Sequence, residues 1–319
     1  MKSEGKEKPA SNGHFPVMLP EVLAALNPKD GETYIDATFG GGGYSRAILQ
    51  SANCNVIGLD RDPLAIERGR ELEAEFPNKF KIIKSEFSKI NELNLPQVDG
   101  IVFDIGVSSF QIDDASRGFS FMRDGPLDMR MGGDVASAAE VLATHDADAL
   151  ANIFWKYGEE KNSRKIARAI VQDRDEKPFI TTLQLASLIE RLSGFKREKI
   201  HPATRVFQAL RIYVNDELGE LEHALIGAEA LLKPDGRLVV VSFHSLEDRI
   251  VKNFLTERSL NVQGSRYAPQ TTPKPTSFEI IRKKAILPSA DEVANNPRSR
   301  SAKLRVAVRT QNPVFFIKN

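Results

Sequence analysis

Four short apolar runs, each separated from the next by helix-forming sequence, restrict this chain to very few architectures. Tyr34-Ile35-Asp36-Ala37-Thr38, Asn55-Val56-Ile57-Gly58-Leu59 (closed by Asp60), Phe80-Lys81-Ile82-Ile83 and Gly100-Ile101-Val102-Phe103-Asp104 read as strands. A helix from about Ser45 follows the first, and one begun by Asp62-Pro63 follows the second. Alternation of this kind, with strands apolar on both faces, implies a mainly parallel sheet covered by helices on each side. Upstream, His14 to Leu26 opens the fold with a helix start at Pro20, and residues 1–13 read as a disordered tail.

After Asp104 the rhythm breaks for about a hundred residues. Gly106 to Gly133 is a long loop dense in Ser, Asp, Gly and Arg, which in a compact domain suggests a functional element. Ala138–Leu142, Ala147–Tyr157, Ser163–Val171 and Thr182–Leu192 carry apolar residues at helical spacing, with no strand pattern among them. The α/β rhythm returns with a helix over Asp216–Leu232, a Pro234-Asp235-Gly236 turn, a buried strand Arg237–Ser242 and a helix from Leu246 to about Glu257. Two late β-type runs, Phe278–Ile281 and Leu304–Arg309, are expected to pair at the far edge of the sheet. The expected organisation is a two-part α/β domain, residues 14–110 and 213–319, interrupted by a loop and all-helical insertion over 111–212.

Composition removes several function classes. One Cys excludes a disulfide framework, and five scattered His without an HxxxH or HxH pair argue against a dedicated metal cage. No stretch approaches the ~20 apolar residues of a membrane span, and the polar start lacks the apolar centre of a signal peptide, so the cytoplasm is the expected location. The net charge of +1 names no partner, but its distribution is uneven. Residues 101–150 hold three Arg against nine Asp and Glu, 156–211 hold 13 Lys and Arg against seven acids, and 270–319 hold ten against three. The two basic regions fit either a nucleic-acid footprint or ordinary solvated, salt-bridged surface.

The first βα turn carries four glycines, Gly40 to Gly43. Without Cβ atoms the backbone there can approach a ligand closely, and the helix that follows aims free N–H groups at it. Dinucleotides and S-adenosylmethionine both use such a turn, and a merely flexible turn is the third reading. Asp60, ending the second strand, is placed to accept both ribose hydroxyls of either ligand. Asp36 separates the two: a carboxylate facing the turn repels a pyrophosphate and suits a methionine ammonium, unless it simply caps the helix. The third glycine of a dinucleotide turn is missing, since Ser45 and Arg46 hold the candidate positions. S-adenosylmethionine is favoured.

Seven segments then carry a resemblance, in order, over nearly the whole chain. They are His14-Phe-Pro-Val-Met-Leu-Pro-Glu-Val-Leu, Asp36-Ala-Thr-Phe-Gly-Gly-Gly-Gly-Tyr-Ser, Phe103-Asp-Ile-Gly-Val-Ser-Ser-Phe-Gln-Ile-Asp-Asp, Arg117-Gly-Phe-Ser-Phe, Gly125-Pro-Leu-Asp-Met-Arg-Met, Phe243-His-Ser-Leu-Glu-Asp-Arg-Ile-Val-Lys and Asn296-Pro-Arg-Ser-Arg-Ser-Ala-Lys-Leu-Arg. Together they resemble the bacterial small-subunit ribosomal RNA cytosine-N4 methyltransferases, the RsmH or MraW family. The resemblance implies a class I S-adenosylmethionine-dependent methyltransferase fold, Rossmann-like, with an inserted all-helical domain. It also implies methyl transfer to the exocyclic N4 of a decoding-region cytidine, with 16S rRNA or the small ribosomal subunit as partner. Cofactor contacts would fall on Gly42, Gly43 and Tyr44, on Asp60, on Phe87, on Asp104 and on Gln111. Tyr44 stands where His is common and Phe110 where Pro is common.

Each of these positions has a plainer reading. Phe87 either stacks on adenine or packs in the core. Gln111 offers donor and acceptor to a ligand or steadies its loop. Asp104, at the ligand end of the fourth strand, can meet the adenine amine, the methionine ammonium or the target amine. The chain has Asp104-Ile105-Gly106-Val107 in place of the Asp/Asn-Pro-Pro-aromatic motif of many amino-methyltransferases, so the group acting on the amine stays open among Asp104, Ser108, Ser109, Asp113 and Asp114. His244 touches substrate or serves as a structural hydrogen-bonder. Arg298, Arg300, Lys303 and Arg305 are candidate phosphate contacts, and Phe119 and Phe121 either stack on a flipped base or anchor their loop. Other acceptors, or a non-catalytic role in ribosome assembly with a vestigial pocket, are the competing functions.

Overall fold

The structure is a computed structural model that describes residues 16–194, 200–259 and 275–315; the expected tail over 1–13 lies outside them. Helix α1 (Leu19–Leu26), with Pro20 in its first turn, leads into β1 (Thr33–Asp36). Then α2 (Gly43–Ser51), β2 (Asn55–Asp60), α3 (Pro63–Glu75), β3 (Phe80–Lys84) and β4 (Val98–Asp104) follow. Asp62 starts α3 by accepting the backbone N–H of Leu64. Helix α2 begins two residues earlier than its sequence suggests, because Gly42 adopts a left-handed φ of 75° and caps it.

The segment expected to be loop carries a short helix, α4 (Ser109–Asp113), held by a capping box between Ser108 and Gln111. The insertion then adds α5 (Ala138–Thr144), α6 (Ala147–Gly158), α7 (Ser163–Asp173), α8 (Thr182–Ser193) and α9 (Thr204–Asn215). Sequence patterning found the first four of these and not α9. A third apolar core, including Leu142, Leu150, Phe154, Ile166, Leu185, Ile189 and Leu210, holds these helices together. Gly158 lets α6 and α9 meet: a Cβ there would lie 2.4 Å from the Arg205 carbonyl oxygen.

Helix α10 (Glu217–Leu231) returns the chain to the sheet as β5 (Leu232–Ser242), followed by α11 (Ser245–Ser259), β6 (Phe278–Ile280), α12 (Ala290–Asn295) and β7 (Lys303–Arg309). Strand β5 starts earlier than expected; the Pro234-Asp235-Gly236 turn sits inside it as a bulge, where the register with β4 jumps from Val98–Leu232 to Gly100–Arg237. The strand order is β3-β2-β1-β4-β5-β7-β6, with β7 antiparallel to both β5 and β6. This is the class I methyltransferase arrangement implied by the resemblance. Along the strands the apolar side chains divide between two faces, as a period of two requires. Tyr34, Val102 and Val239 join the layer under α1 and α2, while Ile35, Phe103 and Val240 join the layer under α10 and α11.

Candidate functional site

The parallel strands end together, so the turns after β1, β2, β4 and β5 converge at one edge of the sheet. There a cavity of about 1020 Å³ runs from the glycine turn to helix α9. Gly40, Gly41, Gly43 and Tyr44 line it. Gly42 lies behind the wall: its N–H donates to the Phe39 carbonyl at 2.7 Å, and a Cβ would meet the Phe39 ring at 2.6 Å. Gly43 is needed for close approach, since its Cβ would fall 2.2 Å from Pro16 Cγ. Tyr44 is buried, and its hydroxyl donates to the Val17 carbonyl.

Asp36 does not face the cavity. Its Oδ2 accepts from the Ser45 hydroxyl at 2.7 Å and the Ser45 N–H at 3.2 Å, and its Oδ1 accepts from the Thr38 N–H at 3.3 Å. The side chain is fully enclosed, and burial pushes its carboxyl up to about 6. The sequence reading that gave it to a methionine ammonium is therefore corrected to the helix-capping alternative: the first turn of α2 closes over so short a side chain.

Asp60 lies on the wall. Its Oδ2 accepts from Gly40 N–H and its Oδ1 from Asp62 N–H, both at 2.8 Å, and burial raises its carboxyl above the usual range. Phe87 lines the cavity while its ring meets Phe103 edge-on at 6.1 Å between centroids. Gln111 is also on the wall, but its amide is committed at both ends: Oε1 accepts from Ser108 N–H at 3.0 Å, and Nε2 donates to Asp62 at 3.0 Å. The Ser108-x-x-Gln111 spacing is a capping-box signature that sequence reading passed over. Beside it, Arg68 stacks on the Phe110 ring at 4.2 Å, and that ring fills the space above Gly41.

Asp104 closes β4 opposite Val241. Its Oδ1 is buried with no hydrogen-bond partner among the described residues. Desolvation, then the nearby charges of Asp36 and Glu247, push this carboxyl well above the ordinary range. Three of the other candidates for meeting an amine are engaged elsewhere. Ser108 accepts from Gln111 N–H, Asp113 pairs with Arg298 at 2.6 Å, and Asp114 caps the turn at Ser116. Only the backbone of Ser109 is described. Lys303 and Arg305 both pair with Asp248, and Arg298, paired with Asp113, lies on the cavity rim.

The opposite wall comes from α9, through Thr204, Phe207, Gln208 and Arg211. Their i, i+3, i+4, i+7 spacing is one helix face, and it was the signal available in the sequence. Arg211 forks onto Glu217 at 2.8 and 2.9 Å. Phe121, also on the wall, packs edge-on against Phe207 at 4.9 Å. His244 follows β5 and faces the cavity; one atom each of His244, Glu217 and Glu247 lie within 4.8 Å of one another. The Arg211 fork engages both Glu217 oxygens there, which is a poor start for a metal cage.

One end of the cavity therefore offers a glycine-lined cradle and a carboxylate at a strand end; the other offers aromatic rings and buried polar atoms. At about 1020 Å³ it reaches the upper end of small-ligand sites (~300–1,000 Å³), which suits two ligands meeting side by side. Residues 11–310 match the model of the MraW methylase family. The ribosomal RNA small subunit methyltransferase H of Xanthobacter autotrophicus is 54% identical over 304 residues, covering 94% of this chain and 88% of that one. The protein of the same name from Hyphomonas neptunium is 55% identical over 309 residues, covering 95% and 90%. That from Rhodospirillum rubrum is 51% identical over 314 residues, covering 95% and 96%. With a match running through both walls of the cleft and almost end to end, the chain belongs to the MraW methylase family.

Proposed function

We propose that the protein is an S-adenosylmethionine-dependent methyltransferase of small-subunit ribosomal RNA, and that it methylates the exocyclic N4 of a decoding-region cytidine in 16S rRNA. The observation that carries this reading is the unpartnered Asp104 oxygen in the middle of the cavity edge. In the sheet order β4 lies between β1, which leads into the glycine turn, and β5, which leads into His244. The names of the relatives support rRNA as the substrate class. Among the described residues no helix is long and apolar enough to cross a membrane.

The glycine turn, Tyr44, Asp60 and Phe87 would hold the donor, with Asp60 taking the ribose hydroxyls and Phe87 the adenine face. When bound, the donor supplies a sulfonium-activated methyl group. Gly42 and Gln111, which the resemblance places among the contacts, serve by shaping the turn and the loop. The N4 lone pair of cytosine is delocalised into its ring, so holding the nitrogen in line supplies much of the acceleration. Asp104 accepts a hydrogen bond from the target amine, raising its electron density and offsetting the positive charge that develops on it.

Nucleoside mass spectrometry of 16S rRNA from cells with and without the gene tests the assignment: N4-methylated cytidine species disappear in its absence, and an unchanged profile refutes it. Calorimetry tests the donor site. Asp60→Ala is expected to weaken S-adenosylmethionine binding by about 1–3 kcal/mol through lost charge-assisted hydrogen bonds. Equal affinity in the variant would put the ribose elsewhere.

A further inference from the structure

Among the described residues six buried side-chain oxygen or nitrogen atoms lack a hydrogen-bond partner, and three of them sit at the adjoining ends of β4 and β5: Asp104 Oδ1, His244 Nε2 and Glu247 Oε1. Buried polar atoms are seldom left unpaired, so this concentration marks a place where a ligand completes the bonding. Asp104 and His244 line the cavity, and Glu247 is fully enclosed behind them.

The roles of the two His244 ring nitrogens follow from their neighbours. The backbone N–H of Glu247 points at Nδ1 at 3.4 Å, so Nδ1 is the accepting nitrogen and Nε2 the donor. Glu247 Oε1 lies 2.9 Å from Nε2 but out of line with its N–H, leaving the donor unspent. The other oxygen, Oε2, accepts from the backbone N–H groups of Phe243 and His244 at 2.7 and 3.1 Å. Glu247 thereby fixes the turn that presents the imidazole.

An acceptor and a donor on neighbouring strand ends form a readable pair. A cytosine that offers an N4 hydrogen to Asp104 presents N3, an acceptor, as the adjacent atom of the same edge. Uracil presents the reverse, a carbonyl and an N3–H. Enzymes that act on a base outside its stack read this edge by such hydrogen bonds, with aromatic side chains at the ring face, a part that Phe207 and Phe121 are placed to play. We infer that the His244 Nε2–H donates to N3 of the target cytosine and is a specificity-determining contact of the acceptor site. The inference rests on the N4-methylation reading and adds a residue to it.

The test is a chemical double-mutant cycle on small ribosomal subunits reconstituted with either cytidine or 3-deazacytidine at the target, the latter carrying C–H in place of N3. Wild-type enzyme is expected to lose about 10- to 100-fold in kcat/KM on the deaza substrate. His244→Ala is expected to lose a similar factor on cytidine and to show little further loss on 3-deazacytidine, while its S-adenosylmethionine affinity by calorimetry is unchanged. His244→Gln, which restores an N–H donor, recovers part of the loss and covers the case in which the alanine variant folds poorly. A wild-type enzyme indifferent to the missing N3, or a His244→Ala or His244→Gln variant with the full wild-type deaza penalty and unimpaired turnover on cytidine, overturns the inference. If wild-type enzyme forms no N4-methylcytidine on the unmodified subunit, it is the methylation reading that fails.

Discussion

Asp104→Ala is expected to lower kcat for rRNA methylation by about 10²–10³-fold, with much less change in S-adenosylmethionine affinity. Among the candidates whose side chains are described, this carboxylate lines the cavity with an oxygen that has no hydrogen-bond partner. On the following loop Ser108 and Asp114 bond nearby backbone N–H groups and Asp113 pairs with Arg298. Its pH dependence follows from its surroundings. Burial and the charges of Asp36 and Glu247 raise its pKa, so the ionised, accepting form exists above that raised value and is lost as pH falls through it. Activity should therefore decline on the acid side at a higher pH than an ordinary carboxylate would give. Asp104→Asn keeps an acceptor oxygen without the charge, so it should cost less than alanine and abolish that acid limb. Single-turnover methylation measured across pH checks all three; a kcat unmoved in Asp104→Ala sinks the role.

Gly125→Ala is expected to destabilise the protein by about 3 kcal/mol, read as a lower urea midpoint. A Cβ at this position would lie 1.9 Å from the Ala115 carbonyl oxygen and 2.8 Å from its carbon, and backbone atoms cannot step aside as a side-chain tip can. Gly125 also stitches its loop to the start of α8, its carbonyl accepting from Thr182 N–H at 2.9 Å and its N–H donating to Thr182 Oγ1 at 3.2 Å. The same loop carries Phe119 and Phe121 on the cavity wall. The variant should accordingly lose kcat/KM for rRNA while still binding the donor, whose cradle lies on the other side of the cleft. Wild-type stability would show that the loop relaxes freely.

The sheet was readable because parallel strands buried on both faces must be largely apolar, as β1, β2 and β4 are, while edge strand β3 keeps Phe80, Ile82 and Ile83 around an exposed Lys81. The antiparallel edge pairing of β6 with β7 was readable from two β-rich runs late in the chain. Helix α9 was legible in principle, since its apolar residues, Val206, Phe207, Leu210 and Val214 among them, fall at helical spacing; what the pattern does not show is that its polar face, Thr204, Gln208 and Arg211, turns into the cavity and not to water. Asp36 shows a different limit. Its place at a strand end could be inferred, but the direction of so short a carboxylate depends on Ser45 arriving in the first turn of α2. For the site, residue types and strand ends were legible; which polar atoms were already bonded was not, since Gln111 and Asp113 spend theirs on Ser108, Asp62 and Arg298.

The junction between α9 and α10 is a single residue, Asp216, held at a left-handed φ of 46°. Across it Arg211 grips Glu217, and Asn215 bonds both the Met131 N–H and the Met129 carbonyl. A joint so short and so braced resists bending. The wall that α9 gives the cavity is thus mechanically geared to the helix beneath the sheet.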